Sequence, residues 1–381
     1  MTTEEKIKLI TSNCQEVLVS EELKDLIESN TPLVHYIGFE ISGLVHLGTG
    51  LISMGKVSDF LRAGVKCNIF LADFHTYLNN KLGGKWSERD IRWAAENYFK
   101  QALVASLLCH GVDVEKEEKR GNLNFIFGKD LYEDNIKHWE TFMEVGKHVT
   151  LSRNLRSVSI MGKKQGMDVS MATLFYPPLQ IADIFTMQVN LVHAGMDQRK
   201  AHVVARQVAK NITVNPLRNK KGEVISPIAV HQNLIAGLTG PEKGSNDEES
   251  LKMSKSKPNS AIFVHDSPDE IRDKIKKAYG PPKQTEFNPL LNWVQTLVFW
   301  GEEEISCGFE IKRSDKFGGN VTYTKMDNII SDYASGELFP LDLKNGLADW
   351  LIEKLAPARD YFDKQDNKQA LIKMKGLMGI K

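Results

Sequence analysis

A glycine-rich turn at residues 43–50, GLVHLGTG, carries the first group of residues that could do chemistry. Glycine lets a backbone approach a phosphate closely, and a helix that begins just after such a turn offers unpaired N–H groups and the positive end of its dipole. His46 adds a donor for phosphate oxygens. An ordinary structural turn with a packed histidine explains the same residues, so the turn alone does not establish a phosphate site.

A second group lies in LKMSKS, residues 251–256, where Lys252 and Lys255 flank small hydroxyl-bearing residues. The surrounding stretch, residues 240–260, is rich in Gly, Ser and charge, which predicts a mobile surface loop. Two lysines on such a loop can close over a polyphosphate and neutralise charge as it develops. A solvated basic loop is the simpler alternative.

A third group occupies LFYPPLQIADIF, residues 174–185. Tyr176, Gln180 and Asp183 are separated by four and three residues, so they share one face of a helix. A phenol, an amide and a carboxylate on one face can form the polar wall of a pocket that holds an ammonium or a hydroxyl group. Ordinary helix polarity is the alternative.

A fourth group follows an apolar run, in HAGMDQRKAH at residues 193–202. Gly195 permits close approach of a ligand, Asp197 can accept from ribose hydroxyls, and Gln198 can point an amide into a site. Arg199 and Lys200 suit phosphate or base contacts. The polarity of a helix start would explain the same residues.

Alternating strands and helices position these groups. Apolar runs at Leu33–Ile41, Lys66–Phe74 and Asn122–Phe127 predict strands, and helical patterns begin near Leu51 and near Ser87. This alternation predicts an α/β, Rossmann-like parallel sheet. Ligands of such sheets bind beyond the carboxyl ends of the strands, and the candidate residues lie just after apolar runs.

Two further regions accompany the predicted sheet. Residues 129–188 are more helical and predict an insertion between two halves of the sheet. Ser267, Pro268 and Glu270 mark the start of a capped helix, and a domain boundary is predicted near Asp266. The chain is therefore predicted to form a domain at 1–265 and a mostly α-helical domain at 266–381, with a bend at 317–320.

Composition sets limits on the class of protein. Lys plus Arg and Asp plus Glu each number 49, which argues against a protein that coats nucleic acid, including DNA, through its net charge. No apolar stretch reaches the length of a membrane span, and we find no export signal. The four cysteines form no CxxC pair, so we expect buried thiols, no metal site and a cytoplasmic location.

Several segments occur together in an order typical of one family: YIGFE with SG and HLG, FLADFHTYLN, LFYPPLQIADI, AGMDQRKAH, AGLTG with KMSKS, KFGGN and PLDLKN. In these segments the sequence resembles the tyrosyl-tRNA synthetases of the archaeal and eukaryotic type, which are class I aminoacyl-tRNA synthetases. The resemblance runs from about Tyr36 to about Phe362. Several of the segments are specific to the tyrosyl enzymes within that class.

The resemblance implies roles for individual residues. It implies a tyrosine pocket of Tyr36, His75, Tyr176, Gln180, Asp183 and Gln198. It implies ATP contacts from Glu40, His46, Gly48, Gly195, Asp197, Lys252, Met253, Ser254, Lys255 and Ser256. His46, Thr49, Lys252 and Lys255 would stabilise the reaction, and tRNA would be bound by Arg156, Arg199, Lys200, Phe317 and Asp342.

The implied reaction has two steps. The carboxylate of tyrosine attacks the α-phosphate of ATP and releases pyrophosphate, and the terminal ribose hydroxyl of tRNA then attacks the adenylate. No side chain acts as a nucleophile, because positioning and charge stabilisation suffice. Mg²⁺ would arrive with ATP. The resemblance further implies a homodimer formed through residues 129–188 and an anticodon-binding function for residues 266–381.

Three departures from the family pattern are present. Thr49 stands where the family usually has the second histidine of HxGH, and Phe339 stands where a histidine often precedes PxDLKN. The segment 241–250 is longer and more acidic than the usual link into KMSKS. Three alternatives remain: a tryptophanyl-tRNA synthetase, a non-catalytic RNA-binding relative, and a nucleotidyltransferase that acts on small molecules.

Overall fold

The structure, a computed structural model, describes residues 1–82, 85–162, 170–240 and 261–380. The chain divides into two compact units. The first comprises Met1–Gly43, Lys56–Lys100 and Asp113–Gln232, and the second comprises Leu44–Gly55, Gln101–Val112 and Asn233–Lys381. The two units are defined by which residues pack together and not by function, so the predicted functional boundary near Asp266 stays a prediction.

A six-stranded sheet forms the centre of the first unit, with the order β1-β6-β5-β2-β3-β4. Its strands are β1 (Cys14–Leu18), β2 (Val34–Phe39), β3 (Lys66–Leu71), β4 (Leu123–Phe127), β5 (Leu191–Gly195) and β6 (Ile228–Gln232). All neighbours pair in parallel except β1, which pairs antiparallel with β6. The predicted parallel sheet is therefore confirmed, while the antiparallel edge strand was not predicted.

In the described part of the chain, twelve α-helices precede β6. They are α1 (Thr3–Thr11), α2 (Ser20–Glu28), α3 (Ser53–Arg62), α4 (Asp73–Leu78), α5 (Glu88–Ala94), α6 (Lys100–Cys109), α7 (Val114–Lys119), α8 (Gly128–Tyr132), α9 (Ile136–His148), α10 (Leu151–Ser157), α11 (Met171–Thr186) and α12 (Arg199–Val208). Four of them, α8 to α11, lie between β4 and β5, as the predicted insertion requires. Short π-helical turns precede α3 and α6.

The carboxyl ends of the parallel strands lead directly into candidate residues. Glu40 follows β2, α4 with His75 follows β3, and Asp197 and Gln198 follow β5. The sheet packs against α11 and α12 through a buried apolar cluster that includes Phe70, Ile181 and Val204. The elements therefore place these side chains at one edge of the sheet.

The second unit is mostly helical in its long segment. Its elements from Pro268 onward are α13 (Pro268–Lys277), α14 (Pro289–Trp293), β7 (Glu304–Ile311), β8 (Val321–Lys325), α15 (Met326–Ser335), α16 (Pro340–Lys354), α17 (Ala356–Phe362) and α18 (Gln365–Leu377). The capping box at Ser267 and Glu270 forms as predicted.

Two features of this region differ from the prediction. The antiparallel hairpin of β7 and β8 was missed, and the predicted bend lies in its connection, where Gly318 and Gly319 have positive φ angles of 91° and 71°. The strand pattern of β7 is short, because only Phe309 and Ile311 near its end are buried. The prediction of buried thiols is also wrong for Cys307, which is exposed on β7.

A fully buried lysine ties α1 to α3. The Lys56 ammonium donates to the carbonyl oxygens of Leu9 and Ser12, each at 2.8 Å, and lies 3.5 Å from the carboxylate of Asp59. Asp59 also pairs with Arg62. A buried charge is tolerated only where hydrogen bonds and an opposite charge replace water, so this lysine fixes the position of the first helix.

We expect Lys56→Met to lower the stability of the fold by about 3–5 kcal/mol, because Asp59 loses a buried partner and two carbonyl oxygens lose their donor. Thermal unfolding measures the effect as a fall in Tm of roughly 5 °C or more. Lys24→Met is the matched control, because Lys24 is 57% exposed and pairs with Glu28 at 3.7 Å across one helical turn. Equal shifts in the two variants would contradict the structural role of Lys56.

Candidate active site

Helix α11 presents the three polar residues that were predicted to share a face. Tyr176, Gln180 and Asp183 are all buried, and the Ser170 side chain caps the helix start by accepting from the Thr173 N–H. Two prolines, Pro177 and Pro178, lie inside this helix, where they remove backbone donors.

A side chain from α10 compensates for one missing donor. Pro178 cannot bond to the carbonyl of Leu174, and the Asn154 amide donates to that oxygen at 2.7 Å. The helix therefore continues through both prolines and keeps its polar face directed into the unit.

Asp183 lies at the centre of the candidate pocket and has no solvent exposure. The hydroxyl of Tyr132 donates to Asp183 Oδ1 at 2.9 Å, whereas Oδ2 has no hydrogen-bond partner and lies 3.6 Å from His75 Nε2. Burial raises the pKa of the Asp183 carboxyl well above its usual value, and the bond from Tyr132 opposes that shift. One oxygen is thus satisfied and one is left open.

The hydrogen-bond network assigns the tautomer of His75. Burial lowers the pKa of this imidazole to about 3, so the ring is neutral. Tyr132 gives its proton to Asp183, so the 3.3 Å contact between Tyr132 and His75 Nδ1 requires that Nδ1 be the donor. His75 Nε2 is then an acceptor that faces the acceptor Asp183 Oδ2. This buried pair of acceptors calls for a donor between them, either a ligand hydroxyl or a proton on Asp183.

Tyr36 reaches the same pocket from β2. Its ring is buried and lies 5.8 Å from the ring of Phe70. A Cβ atom added to Gly38 would lie 2.5 Å from the Tyr36 hydroxyl, so glycine at that position makes room for the phenol. Burial raises the pKa of Tyr36 well above its usual value, and the negative charge of Asp183 adds to the shift.

The two predicted glutamines lie side by side. Gln180 Nε2 donates to Gln198 Oε1 at 3.2 Å, and Gln198 Nε2 donates to the carbonyl of Ile160 and to Asp197 Oδ2, both at 2.9 Å. The remaining oxygen, Gln180 Oε1, is buried without a partner. It is a second open acceptor in the pocket and could receive an ammonium group.

Tyr176 connects this pocket to Glu40. Burial chiefly raises the pKa of Tyr176 well above its usual value, and the charge of Glu40 and a hydrogen bond to it add to the shift. Glu40 also accepts from Asn79 at 2.7 Å and pairs with Lys81 at 2.9 Å. The sequence had singled out neither Asn79 nor Lys81. The ring of Tyr176 packs edge-on against His75 at 4.7 Å, which brings these two candidate residues into contact.

The residues predicted to contact tRNA in the first unit have partners within it. The Arg199 guanidinium donates hydrogen bonds to both carboxylate oxygens of Glu16 on β1, at 2.7–3.0 Å. Glu16 also accepts from His231 at 2.9 Å. Lys200 donates to Ser159 at 2.8 Å, and Arg156, which is exposed, donates to Ser152 at 2.9 Å.

His46, Gly48 and Thr49 belong to the second unit. His46 Nδ1 accepts from the N–H groups of Gly48 and Thr49 at 3.1 and 3.4 Å, so its proton lies on Nε2. The histidine therefore caps the turn it precedes. A Cβ added to Gly50 would lie 2.3 Å from Val264 Cγ1, so packing alone requires glycine at that position.

The remaining predicted residues give less information about the site. Lys252, Met253, Ser254, Lys255, Ser256 and the segment 241–250 lie outside the described residues, as does the side chain of Phe317. Asp342 is half-buried in the first turn of α16, a position that also suits a carboxylate at a helix start. Phe339 is exposed just before that helix.

Besides Asn79 and Lys81, sequence reasoning also missed Tyr132. It lies outside the segments that carry the resemblance, yet it follows the carboxyl end of β4 by five residues. The rule that ligand-binding residues follow strands would have found it. Among the described residues there is no group of three or more His, Cys, Asp or Glu that could hold a metal ion. In the same part of the chain, no helix is long and apolar enough to span a membrane.

Comparison with known proteins agrees with this fold and identifies the family. The model of the class I tRNA synthetases for W and Y matches residues 28–356, and the chain belongs to that family. Its relatives include the tyrosine–tRNA ligases of Thermococcus sibiricus and Pyrococcus furiosus, which are 44% and 45% identical to it, each over 98% of both chains. The resemblance inferred from the sequence is confirmed.

Solved structures of related proteins have the same fold. The tyrosyl-tRNA synthetase of Pyrococcus horikoshii, solved with L-tyrosine, is 43% identical, covers 99% of this chain and superposes with a TM-score of 0.91. A tryptophanyl-tRNA synthetase from Aeropyrum pernix is 17% identical with a TM-score of 0.65, so that likeness concerns the fold alone.

We expect Asp183→Asn to raise the thermal stability of the ligand-free protein, and to do so more at pH 8 than at pH 5. A carboxyl whose folded pKa is raised contributes full stability below its unfolded pKa, near 3.9, and loses that contribution as the pH rises toward the folded value. Asparagine does not titrate, so the gain over the unmodified protein should grow to about 1 kcal/mol or more at pH 8.

Thermal unfolding at both pH values measures this gain. Asp25→Asn, which changes an exposed carboxylate on α2, is the control for loss of one charge. A gain for Asp183→Asn that is the same at pH 5 and pH 8 would show that the burial of Asp183 does not shift its titration.

Proposed function

We propose that the protein is a tyrosine–tRNA ligase, which activates tyrosine with ATP and transfers it to tRNA. The observation that carries the proposal is the buried acceptor pair of Asp183 Oδ2 and His75 Nε2, 3.6 Å apart. A phenol hydroxyl supplies the donor that this pair lacks, and the adjacent Tyr36 supplies a second polar contact. The names of the tyrosine–tRNA ligases that match nearly the full chain support the same substrate.

The other open acceptor suits the α-amino group of the substrate. Gln180 Oε1 can receive a proton from an ammonium, and Tyr176 and Gln198 lie beside it. The two acceptors thus correspond to the two ends of tyrosine. Phenylalanine has no donor to offer Asp183, and leaving a buried acceptor unpaired costs about 1–3 kcal/mol.

ATP is proposed to react with the bound amino acid without a covalent enzyme intermediate. His46 Nε2–H can donate to phosphate oxygens, with Gly48 and Thr49 beside it, and Lys252, Met253, Ser254, Lys255 and Ser256 complete the phosphate contacts. Glu40, Gly195 and Asp197 would contact the nucleotide. Mg²⁺ is proposed to accompany ATP as part of the substrate.

Transfer to tRNA involves a second set of residues. Arg156, Arg199 and Lys200 are proposed to approach the acceptor end, and Phe317 and Asp342 to receive the first anticodon base. The exposed Phe339 can stack on a base but cannot form a side-chain hydrogen bond to it. As an enzyme of translation, the protein is proposed to act in the cytoplasm.

Pyrophosphate exchange with each of the twenty amino acids tests the proposal. Tyrosine should support exchange and tryptophan should not. No exchange with any amino acid would instead favour a non-catalytic RNA-binding relative or a nucleotidyltransferase that acts on other small molecules.

We expect Asp183→Ala to reduce kcat/KM for tyrosine in this assay by at least about tenfold, because it removes a charged hydrogen-bond acceptor. Phenylalanine makes no bond to that carboxylate, so its kcat/KM should change less and discrimination should narrow. Asp25→Ala is the control. Unchanged discrimination between tyrosine and phenylalanine would contradict the assignment of Asp183 to the substrate hydroxyl.

We further propose that the protein is a homodimer, on the basis of an exposed apolar face on α9, α10 and α11. Ile136 and Met143 lie seven residues apart on one face of α9 and are 68% and 64% exposed. Met171 and Phe175, four residues apart on α11, continue it, and the Phe175 ring lies 6.0 Å from that of Phe142. Leu151 on α10 is exposed as well. Clustered exposed apolar side chains are typical of protein interfaces.

Met143→Glu should convert the dimer to a monomer, because a carboxylate would be buried without a partner at the interface. Sedimentation at micromolar concentration should give twice the chain mass for the unmodified protein and the single chain mass for the variant. Ile372→Glu changes an aliphatic residue on α18 that is similarly exposed, at 56%, and should leave the mass unchanged. A Met143→Glu variant that remains dimeric would exclude this face.

A further inference from the structure

Tyr132 is held firmly in the tyrosine pocket although it lies outside the segments that identify the family. Its ring is buried, stacks on His138 at 4.3 Å and meets Phe74 edge-on at 5.6 Å. Its backbone carbonyl accepts from the Trp139 indole at 3.2 Å. The hydroxyl therefore has little freedom to leave Asp183.

A second carboxylate fixes the two elements that carry Tyr132 and His75. Asp73 Oδ1 accepts from the N–H groups of Phe74 on α4 and Lys129 on α8, at 2.8 and 3.0 Å. A Cβ added to Gly128 would lie 2.8 Å from the same oxygen. The start of α4 and the start of α8 are thus clamped together, which sets the contact between His75 and Tyr132.

The result is a directed chain of hydrogen bonds. His75 Nδ1–H donates to Tyr132, and Tyr132 donates to Asp183 Oδ1. The chain ends by leaving Asp183 Oδ2 and His75 Nε2 as the open acceptors. Tyr132 therefore decides which carboxylate oxygen faces the ligand.

We propose that Tyr132 is a specificity-determining residue of the pocket, which acts through Asp183 by occupying Oδ1 and reserving Oδ2 for the hydroxyl of the substrate. The inference rests on the proposed function, because it requires that tyrosine be the substrate. A ligand without a hydroxyl would leave Asp183 Oδ2 and His75 Nε2 without a donor. The free-energy cost of these unpaired acceptors is what rejects phenylalanine.

Removing the Tyr132 hydroxyl should relieve that penalty. Asp183 would then lose its one donor and hold a proton more tightly, since the Tyr132 bond opposes the rise in its pKa. A protonated Asp183 can donate to His75 Nε2, which satisfies both groups without a ligand hydroxyl. The titratable groups around Asp183 are Tyr36 from β2, His75 from α4, Tyr132 from α8, Tyr176 from α11 and His138 from α9 beyond Tyr132.

The test is pyrophosphate exchange with tyrosine and phenylalanine, measured for Tyr132→Phe across a range of pH. We expect kcat/KM for tyrosine to fall about 10- to 100-fold and kcat/KM for phenylalanine to rise, because the penalty against phenylalanine is relieved. The acid limb of the tyrosine profile should move to higher pH, because ionised Asp183 is the form that accepts the phenol proton. A purely structural role would shift neither discrimination nor that limb.

Three further variants sharpen the result. Tyr323→Phe is the matched control, since the buried Tyr323 also donates to a carboxylate, Asp332, at 2.8 Å. Tyr132→Gln keeps an N–H donor and should discriminate between tyrosine and phenylalanine better than Tyr132→Phe does. It also replaces Tyr132→Phe in the test if that variant does not fold. In an Asp183→Asn background, Tyr132→Phe should cost less than it does alone, because the two residues act through one contact.

The outcomes separate cleanly. An unmodified enzyme without tyrosine-dependent exchange would overturn the proposed function and this inference with it. Normal exchange by the unmodified enzyme, with discrimination unchanged in Tyr132→Phe, would overturn the inference alone. Equal losses for tyrosine and phenylalanine, equal losses in Tyr132→Phe and Tyr132→Gln, or additive losses with Asp183→Asn would do the same.

Discussion

A carboxyl group without access to solvent is the constraint on which the site depends. Asp183 lies in an apolar cluster where water cannot satisfy it, so the protein must supply its hydrogen bonds. Helix α11 carries it past two prolines, which the amide of Asn154 makes possible. Helix α8 brings Tyr132 to one of its oxygens, and α4 brings His75 opposite the other. Helices α8 and α4 thus each bring a polar side chain to the buried carboxyl.

The same arrangement lowers the stability of the fold and in return leaves polar atoms available to bind a ligand. A fully satisfied carboxylate would cost the fold less, but it would have nothing left to offer a ligand. The structure leaves one oxygen of Asp183 and one of Gln180 without a hydrogen-bond partner, and both residues are buried on α11. Rigidity in the surrounding groups keeps them open, because neither the clamp at Asp73 nor the stacked ring of His138 lets Tyr132 move to a second oxygen.

Much of this could be predicted from the sequence, and the exceptions have physical causes. The spacing of Tyr176, Gln180 and Asp183 defined a helix face, and apolar runs located β2, β3 and β4. Tyr132 was missed because its role comes from a fold contact with a residue 51 positions away, which no local pattern encodes. The pairing of Arg199 with Glu16 spans 183 positions and was missed for the same reason. The β7–β8 hairpin was missed because each strand buries only one or two residues, which is too few to show an alternating pattern.

The antiparallel strand β1 protects the sheet against self-association. Without it, the outer side of β6 would present an open row of backbone donors and acceptors, which is a template for pairing with another chain. β1 is itself a poor template, because its register shifts between Cys14 and Glu16 and Glu16 places a charge on it. That same glutamate holds Arg199. A proteolytic cut that released this strand would therefore free a candidate RNA-binding arginine and create an aggregation-prone edge in one event.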